Sequence, residues 1–280
     1  MKNILVPTNF TEISSNALAY AKEFADRTKA TIFLYHAYHI PVSTTDISYG
    51  ALFDEYQLIE NENREALLGE VARIKKTYPE LQIEPILKEG FFVESISEVI
   101  EAQKIDFVVM GTAGAEGFEE MFLGTNSGAI LSKISCPLII IPHVYRFKPV
   151  QKIVFASDYL KTDFDAINKV VEIARLFQAQ LIIIHVSNHD AESRALAHQT
   201  FRSFVVQGNT KIKYNNVSYR FIENESLTDA INELVEEEDI DIIVMTTKKR
   251  NFLQKIFDPS LTKKMAYHTE IPLLTLVDKE

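Results

Sequence analysis

Two stretches of this 280-residue chain, 149 positions apart, carry the same pattern. Asn3-Ile4-Leu5-Val6-Pro7-Thr8-Asn9-Phe10 matches Lys152-Ile153-Val154-Phe155-Ala156-Ser157-Asp158-Tyr159, and Thr31 to His36 matches Gln180 to His185. Further along, Asp106-Phe107-Val108-Val109-Met110 matches Asp241 to Met245, and Pro137 to Ile141 matches Pro272 to Leu276, both at an offset of 135. The first copy therefore holds 14 more residues than the second between its His and its Asp (149 − 135). Self-similarity of this kind means one folding unit used twice. The expected division is residues 1–147 and 148–280, punctuated by Pro142 and Pro149. At 46% hydrophobic and 24% charged, each half has the composition to bury its own core.

Within a copy, short apolar runs alternate with helical periodicity. Ile4 to Val6, Thr31 to His36, Phe107 to Met110 and Leu138 to Ile141 are continuous apolar runs of strand length, and Leu81 to Leu87 is a further strand. Between them, Thr11 to Arg27 spaces Ala17, Ala21, Phe24 and Ala25 by three and four, with Thr11 as the expected N-cap. Ala166, Val170, Ile173 and Ala174 repeat that face. Glu55 to Thr77, Val93 to Ala102 and Ser127 to Ser135 also read as helices. The alternation predicts an α/β fold with a doubly wound, Rossmann-like parallel sheet of five strands in each of two tandem repeats, joined by right-handed crossovers. Ligands of such sheets bind beyond the carboxyl ends of the strands, where the strand order reverses.

The segment after the fourth strand is rich in glycine: Gly111-Thr112-Ala113-Gly114, then Gly124-Thr125-Asn126-Ser127 ahead of a helix. Glycines admit a ligand close to the main chain, and a helix start offers free N–H groups and partial positive charge, which suits phosphate. A glycine-rich turn that merely eases the chain into the helix is the alternative reading of the same residues. The spacing Gly-x2-Gly-x9-Gly-Thr resembles that of the ATP-binding members of the universal stress protein family. The opening Val6-Pro7-Thr8-Asn9-Phe10-Thr11 and the closing Cys136-Pro137-Leu138-Ile139-Ile140-Ile141-Pro142 are similar to that family too.

The resemblance implies strand order 3-2-1-4-5, with the first and fourth strands adjacent. It implies that Gly114, Gly124, Thr125, Asn126 and Ser127 hold the phosphates of ATP, with or without Mg²⁺. It also implies that Pro7, Thr8 and Asn9 border the ribose and adenosine, that Ala37 meets adenine through its backbone, and that Met110 and Gly111 line the floor. Asn9 stands where the family usually has Asp, which removes a charge suited to a metal ion. In the second copy the matching positions are Thr246, Lys249, Pro259 and Ser260, so that repeat is expected not to bind ATP in the same manner. Asp158 there retains the family's acid, and Lys248-Lys249-Arg250 reads as a solvated charged loop.

Composition narrows the function further. Against 29 Lys+Arg stand 39 Asp+Glu, a net charge of −10, which disfavours nucleic-acid binding. Cys136 is the only cysteine, so no intramolecular disulfide forms, and it reads as buried and inert. No apolar stretch reaches bilayer-spanning length, and Met1-Lys2-Asn3-Ile4 does not open a signal peptide, so a cytoplasmic protein without membrane contact is expected. His36 and His185, at matching strand ends, are expected to hydrogen-bond backbone, and a metal site at His185 and His189 conflicts with the strand assignment. Val42 to Tyr56 reads as an irregular loop or a lid. The leading function is an adenine-nucleotide-binding regulatory or protective protein of the stress response, with no catalytic residues assigned. The alternatives are a slow Mg²⁺-dependent ATPase or phosphotransferase, and a nucleotide-free scaffold for a protein or small lipid. The two repeats are expected to imitate a dimer within one chain, and a homodimer of chains is a further option.

Overall fold

The computed structural model describes residues 1–40, 49–112, 130, 133–157, 159, 163–187, 191–224, 226–246 and 271–277. They divide into two compact units, the first running to His143 and the second beginning at Val144. In the first unit the order is β1 (Asn3–Pro7), α1 (Glu12–Thr28), β2 (Thr31–Tyr38), α2 (Tyr49–Thr77), β3 (Ile83–Glu89), α3 (Phe92–Ala102), β4 (Phe107–Thr112) and β5 (Leu138–Pro142). All its strand pairs are parallel, in the order β3-β2-β1-β4-β5. Ile4 pairs with Ile32 on one side and Phe107 on the other, so β1 lies at the centre. Ile4, Leu5 and Val6 have no exposed surface, which is why β1 is a continuous apolar run and not an alternating one.

The second unit repeats the scheme with β6 (Lys152–Ala156), α4 (Asp163–Phe177), β7 (Gln180–Ser187), α5 (Ala191–Lys211), β8 (Val217–Glu223), α6 (Leu227–Glu238), β9 (Ile242–Thr246) and β10 (Leu273–Leu276). Its parallel order is β8-β7-β6-β9-β10, the same path through the sheet. The expected order 3-2-1-4-5 is thus present in each unit.

The helices largely follow the apolar pattern. Ala17, Ala21, Phe24 and Ala25 of α1 are buried, as are Val170, Ile173 and Ala174 of α4. Ala166 is only half-buried, and Ile167 beside it fills the core instead. α2 begins at Tyr49, well ahead of Glu55, so the second part of the Val42 to Tyr56 stretch is helix; residues 41–48 lie outside the described residues. Its fixed face is narrow: Leu67, Val71 and Ile74, spaced by four and three, are its buried apolar residues. The helix expected over Ser127 to Ser135 also lies mostly outside the described residues.

One carboxylate in each unit ties the start of the first strand to the fourth. Asp106 Oδ2 accepts hydrogen bonds from the backbone N–H of Lys2 (2.6 Å) and Asn3 (3.1 Å). Asp241 Oδ2 accepts from Gln151 (2.7 Å) and Lys152 (2.9 Å). Asp241 is buried, and its Oδ1 is 2.9 Å from Lys148 Nζ. That hydrogen bond raises the Lys148 ammonium above its ordinary pKa, against the opposing effect of burial. Replacing Asp241 leaves two backbone donors and an ammonium without their acceptor, so Asp241→Ala is expected to cost about 3 kcal/mol. The exposed Asp106 should cost about 1 kcal/mol on the same change, since water can take over its bonds. Urea unfolding of the two variants checks the ranking, and equal losses would refute it.

Candidate functional site

Beyond β1 the chain turns through Thr8 to Thr11 into α1. Thr8 N–H donates to the Tyr35 carbonyl (2.8 Å), so it extends the β1–β2 ladder by one residue. Its Oγ1 donates to Ser14 Oγ (3.1 Å) and accepts from Phe10 N–H (3.0 Å). Phe10 is held at φ 63°, a left-handed conformation that costs a residue with a Cβ about 1 kcal/mol or more. Asn9 Oδ1 accepts from Thr11 Oγ1 (2.6 Å) and Thr11 N–H (3.4 Å). Thr11 is the N-cap residue of α1, but its hydroxyl serves Asn9 and makes no cap bond; Ser14 and Ser15 hydroxyls instead donate to the Thr11 carbonyl. His36 Nδ1–H donates to the Thr8 carbonyl (2.8 Å), and its Nε2 faces Asn63 Oδ1 (2.9 Å).

The second unit repeats the central bonds of this rim. Ser157 N–H donates to Ile184 O (2.9 Å), and Ser157 Oγ accepts from Tyr159 N–H (2.9 Å). Tyr159 sits at φ 59°, and His185 Nδ1–H donates to the Ser157 carbonyl (2.9 Å). Both histidines thus bond backbone, as their placement implied. The difference is electrostatic. Where the first unit has Ser14, the second has buried Asp163, whose Oδ2 accepts a hydrogen bond from the Ser157 hydroxyl at 2.6 Å. A carboxylate behind the rim repels a phosphate. The ring after the rim is also covered: Tyr159 stacks on His185 (4.3 Å between centroids) and meets Phe204 (4.6 Å), and burial pushes its phenol pKa well up.

β1 and β4 are neighbours, so their carboxyl ends bring Pro7, Thr8 and Asn9 beside Gly111 and Thr112. Thr8 is buried and Asn9 half-buried; with its Oδ1 taken by Thr11, the side chain of Asn9 offers its amide N–H as the remaining donor. Ala37 is half-buried near the end of β2, and Met110 lies buried below the rim. Gly111 has a packing reason of its own: a Cβ there would stand 2.6 Å from the Ile13 carbonyl oxygen and 2.7 Å from Ile13 Cγ2. The bare position lets the first turn of α1 close onto β4. Gly114, Gly124, Thr125, Asn126 and Ser127 lie outside the described residues, as do Asp158, His189, Lys248 to Arg250, Pro259 and Ser260. Thr246, in the place of Gly111, ends β9 and is buried.

An aromatic pair at the same edge escaped the sequence reading. His39 and Phe91 stack with centroids 4.2 Å apart and planes 26° apart, just past the ends of β2 and β3. The signal that could have found Phe91 is its helix-cap position, where the other repeat has Ser226. At the opposite, amino edge of the second unit, a cleft of about 430 Å³ is lined by Arg175, Lys213 and Tyr214 among others. Arg175 donates to the Lys213 carbonyl there, and the Tyr214 hydroxyl donates to Ala179 O (2.6 Å). Among the described residues, no group of three His, Cys, Asp or Glu side chains could hold a metal ion, and no helix is long and apolar enough to cross a membrane.

The chain matches the Universal stress protein family model twice, over residues 1–142 and 149–276. The chain belongs to the universal stress protein family. A universal stress protein of Methanocaldococcus jannaschii, MJ0531, is 26% identical over 142 residues, which is 50% of this chain and 81% of that protein. The crystal structure of a universal stress protein from Archaeoglobus fulgidus DSM 4304 is 20% identical, covers 99% of this chain and 98% of its own, and overlays with a TM-score of 0.71, so the tandem fold is shared. Another universal stress protein, from Archaeoglobus fulgidus, has been solved in complex with dAMP; it is 16% identical and covers 46% of this chain and 99% of its own, with a TM-score of 0.34.

Two expected outcomes test the site's packing. Gly111→Ala must push Ile13 and the start of α1 away from β4, which should cost about 1–3 kcal/mol in urea unfolding; an unchanged midpoint would contradict the contact. Burial pushes the Cys136 thiol up to about 12, with the charge of Asp106 adding to the effect. Cys136 should therefore stay unreactive toward iodoacetamide at pH 8 in the folded protein and react once the chain is unfolded.

Proposed function

We propose that this universal stress protein binds an adenine nucleotide, ATP, in its first repeat, at the switch point between β1 and β4, and that occupancy regulates a protective response to stress. The observation that carries the reading is the juxtaposition at that switch point. β4 runs beside β1 and ends at Gly111 and Thr112, where the Gly-x2-Gly-x9-Gly-Thr stretch of the sequence begins, beside a rim whose Asn9 amide N–H is left to donate. A hydroxyl-rich, glycine-rich segment followed by a helix start suits a polyphosphate, and the Asn9 amide suits a ribose hydroxyl. Asn9 in place of an acid and the lack of Lys or Arg at Gly111, Gly114, Gly124 and Thr125 favour holding a nucleotide over turning it over rapidly. With Asn9 a poor metal ligand, Mg²⁺ would reach the site mainly on the phosphates themselves.

The second repeat does not bind ATP in the same manner. It carries Thr246, Lys249 and Pro259 where the first has glycines, and buried Asp163 behind its rim. Calorimetric titration of the full chain with ATP should give a single site, and Gly124→Arg should abolish it. Two sites in the wild type, or binding retained in Gly124→Arg, would sink the assignment to the first repeat.

A further inference from the structure

Phe91 is unusual on two counts, and the residue before it on a third. It is an aromatic residue with 61% of its surface exposed. It occupies the N-cap of α3, where Ser, Thr, Asp or Asn would satisfy a free N–H, and it makes no side-chain cap bond. It is delivered there by Gly90 at φ +125°, a conformation that residues with a Cβ rarely adopt. The duplication supplies an internal control. At the matching cap of α6 stands Ser226, whose hydroxyl accepts from Asp229 N–H at 3.2 Å. One unit thus keeps the stabilising cap, while the other carries an exposed ring. Local rules broken together mark places where function competes with stability.

The ring's location says what it can meet. Gly90 N–H donates to the Tyr38 carbonyl (2.9 Å), so Phe91 follows directly on the paired ends of β2 and β3. Ala37 pairs with Lys88 one register earlier. Tyr35, two residues before Ala37, stacks on Phe92, so α3 covers the face of β2 that Ala37 shares. Exposed His39 stacks on Phe91 with the ring planes 26° apart. The stacked pair therefore stands two residues beyond Ala37 and three beyond its partner Lys88, on the carboxyl edge of the sheet where the nucleotide is proposed to sit.

We propose that Phe91, backed by His39, is a specificity-determining residue that stacks on the base of the bound nucleotide. The inference rests on the proposed nucleotide site of the first repeat and deepens it. Aromatic stacking on a base tolerates any base but needs one, so it acts on ATP and not on inorganic tripolyphosphate.

The full-length chain is titrated with ATP and with tripolyphosphate, as wild type, Phe91→Ser and Phe91→Trp. Phe91→Ser installs the cap residue of the other repeat, so it should unfold no earlier than the wild type. It is expected to lose about ten-fold or more in ATP affinity, the range of a lost base stack, with tripolyphosphate binding unchanged. The chain has no tryptophan, so Phe91→Trp supplies a lone indole, whose fluorescence ATP should quench and tripolyphosphate should not. ATP binding by Phe91→Ser within two-fold of the wild type overturns the stacking role and leaves the site standing. An equal loss for tripolyphosphate also overturns it. A wild type that binds no ATP overturns the site and the stacking role together.

Discussion

A single carbonyl oxygen in each repeat organises the functional edge. Thr8 O in the first unit and Ser157 O in the second each receive an imidazole N–H from the neighbouring strand. The hydroxyl of the same residue receives the N–H two residues on, which fixes Phe10 and Tyr159 in left-handed backbone. These bonds turn the chain sharply from the central strand into the helix. Everything at the carboxyl edge is placed relative to that turn: the rim residues, the approach of α1 to β4 through Gly111, and the end of β2. Because the turn is made of buried polar groups that satisfy one another, losing any one of them would leave donors or acceptors stranded away from water.

The duplication shows which parts of this construction can vary. The turn's hydrogen bonds persist although Thr8 became Ser157 and Phe10 became Tyr159, since each replacement keeps a hydroxyl or a ring. What changed lies around the turn. Ser14 gives way to Asp163, Gly111 to Thr246, and the cap position exchanges Phe91 and Ser226. The second unit has moved toward a filled and self-satisfied edge, with Tyr159 under Phe204 and an orthodox serine cap. The first has exposed rings, Phe10 and Phe91, where the second has buried Tyr159 and the serine cap.

Much of the architecture was legible in the sequence, because buried parallel strands are short, apolar and hard to mistake when seen twice. The order of strands, the faces of α1 and α4 and the backbone role of His36 and His185 follow from that pattern and from the family resemblance. The start of α2 did not, since its first turns lie on no apolar stripe: Phe53 and Leu58 are exposed. Thr11 is the N-cap residue of α1 as expected, but Asn9 takes its hydroxyl, and a one-dimensional pattern does not show such competition. Gly111 looked like a ligand-facing glycine, and its tight contact with Ile13 depends on how a helix docks across two strands. The aromatic pair of His39 and Phe91 joins residues far apart in the chain, and only the fold brings them together.

The Lys148–Asp241 pair bears on how the molecule can be taken apart. Sequence similarity for the second repeat starts at residue 149, yet the compact body already includes Val144 and the buried ring of Tyr145, with Lys148 clamped to Asp241. A fragment cut at the similarity boundary would shed that clamp and leave an anionic carboxylate walled in without its counter-ion. The natural seam for excising the C-terminal half therefore lies ahead of Val144, in front of the residues that seal its floor.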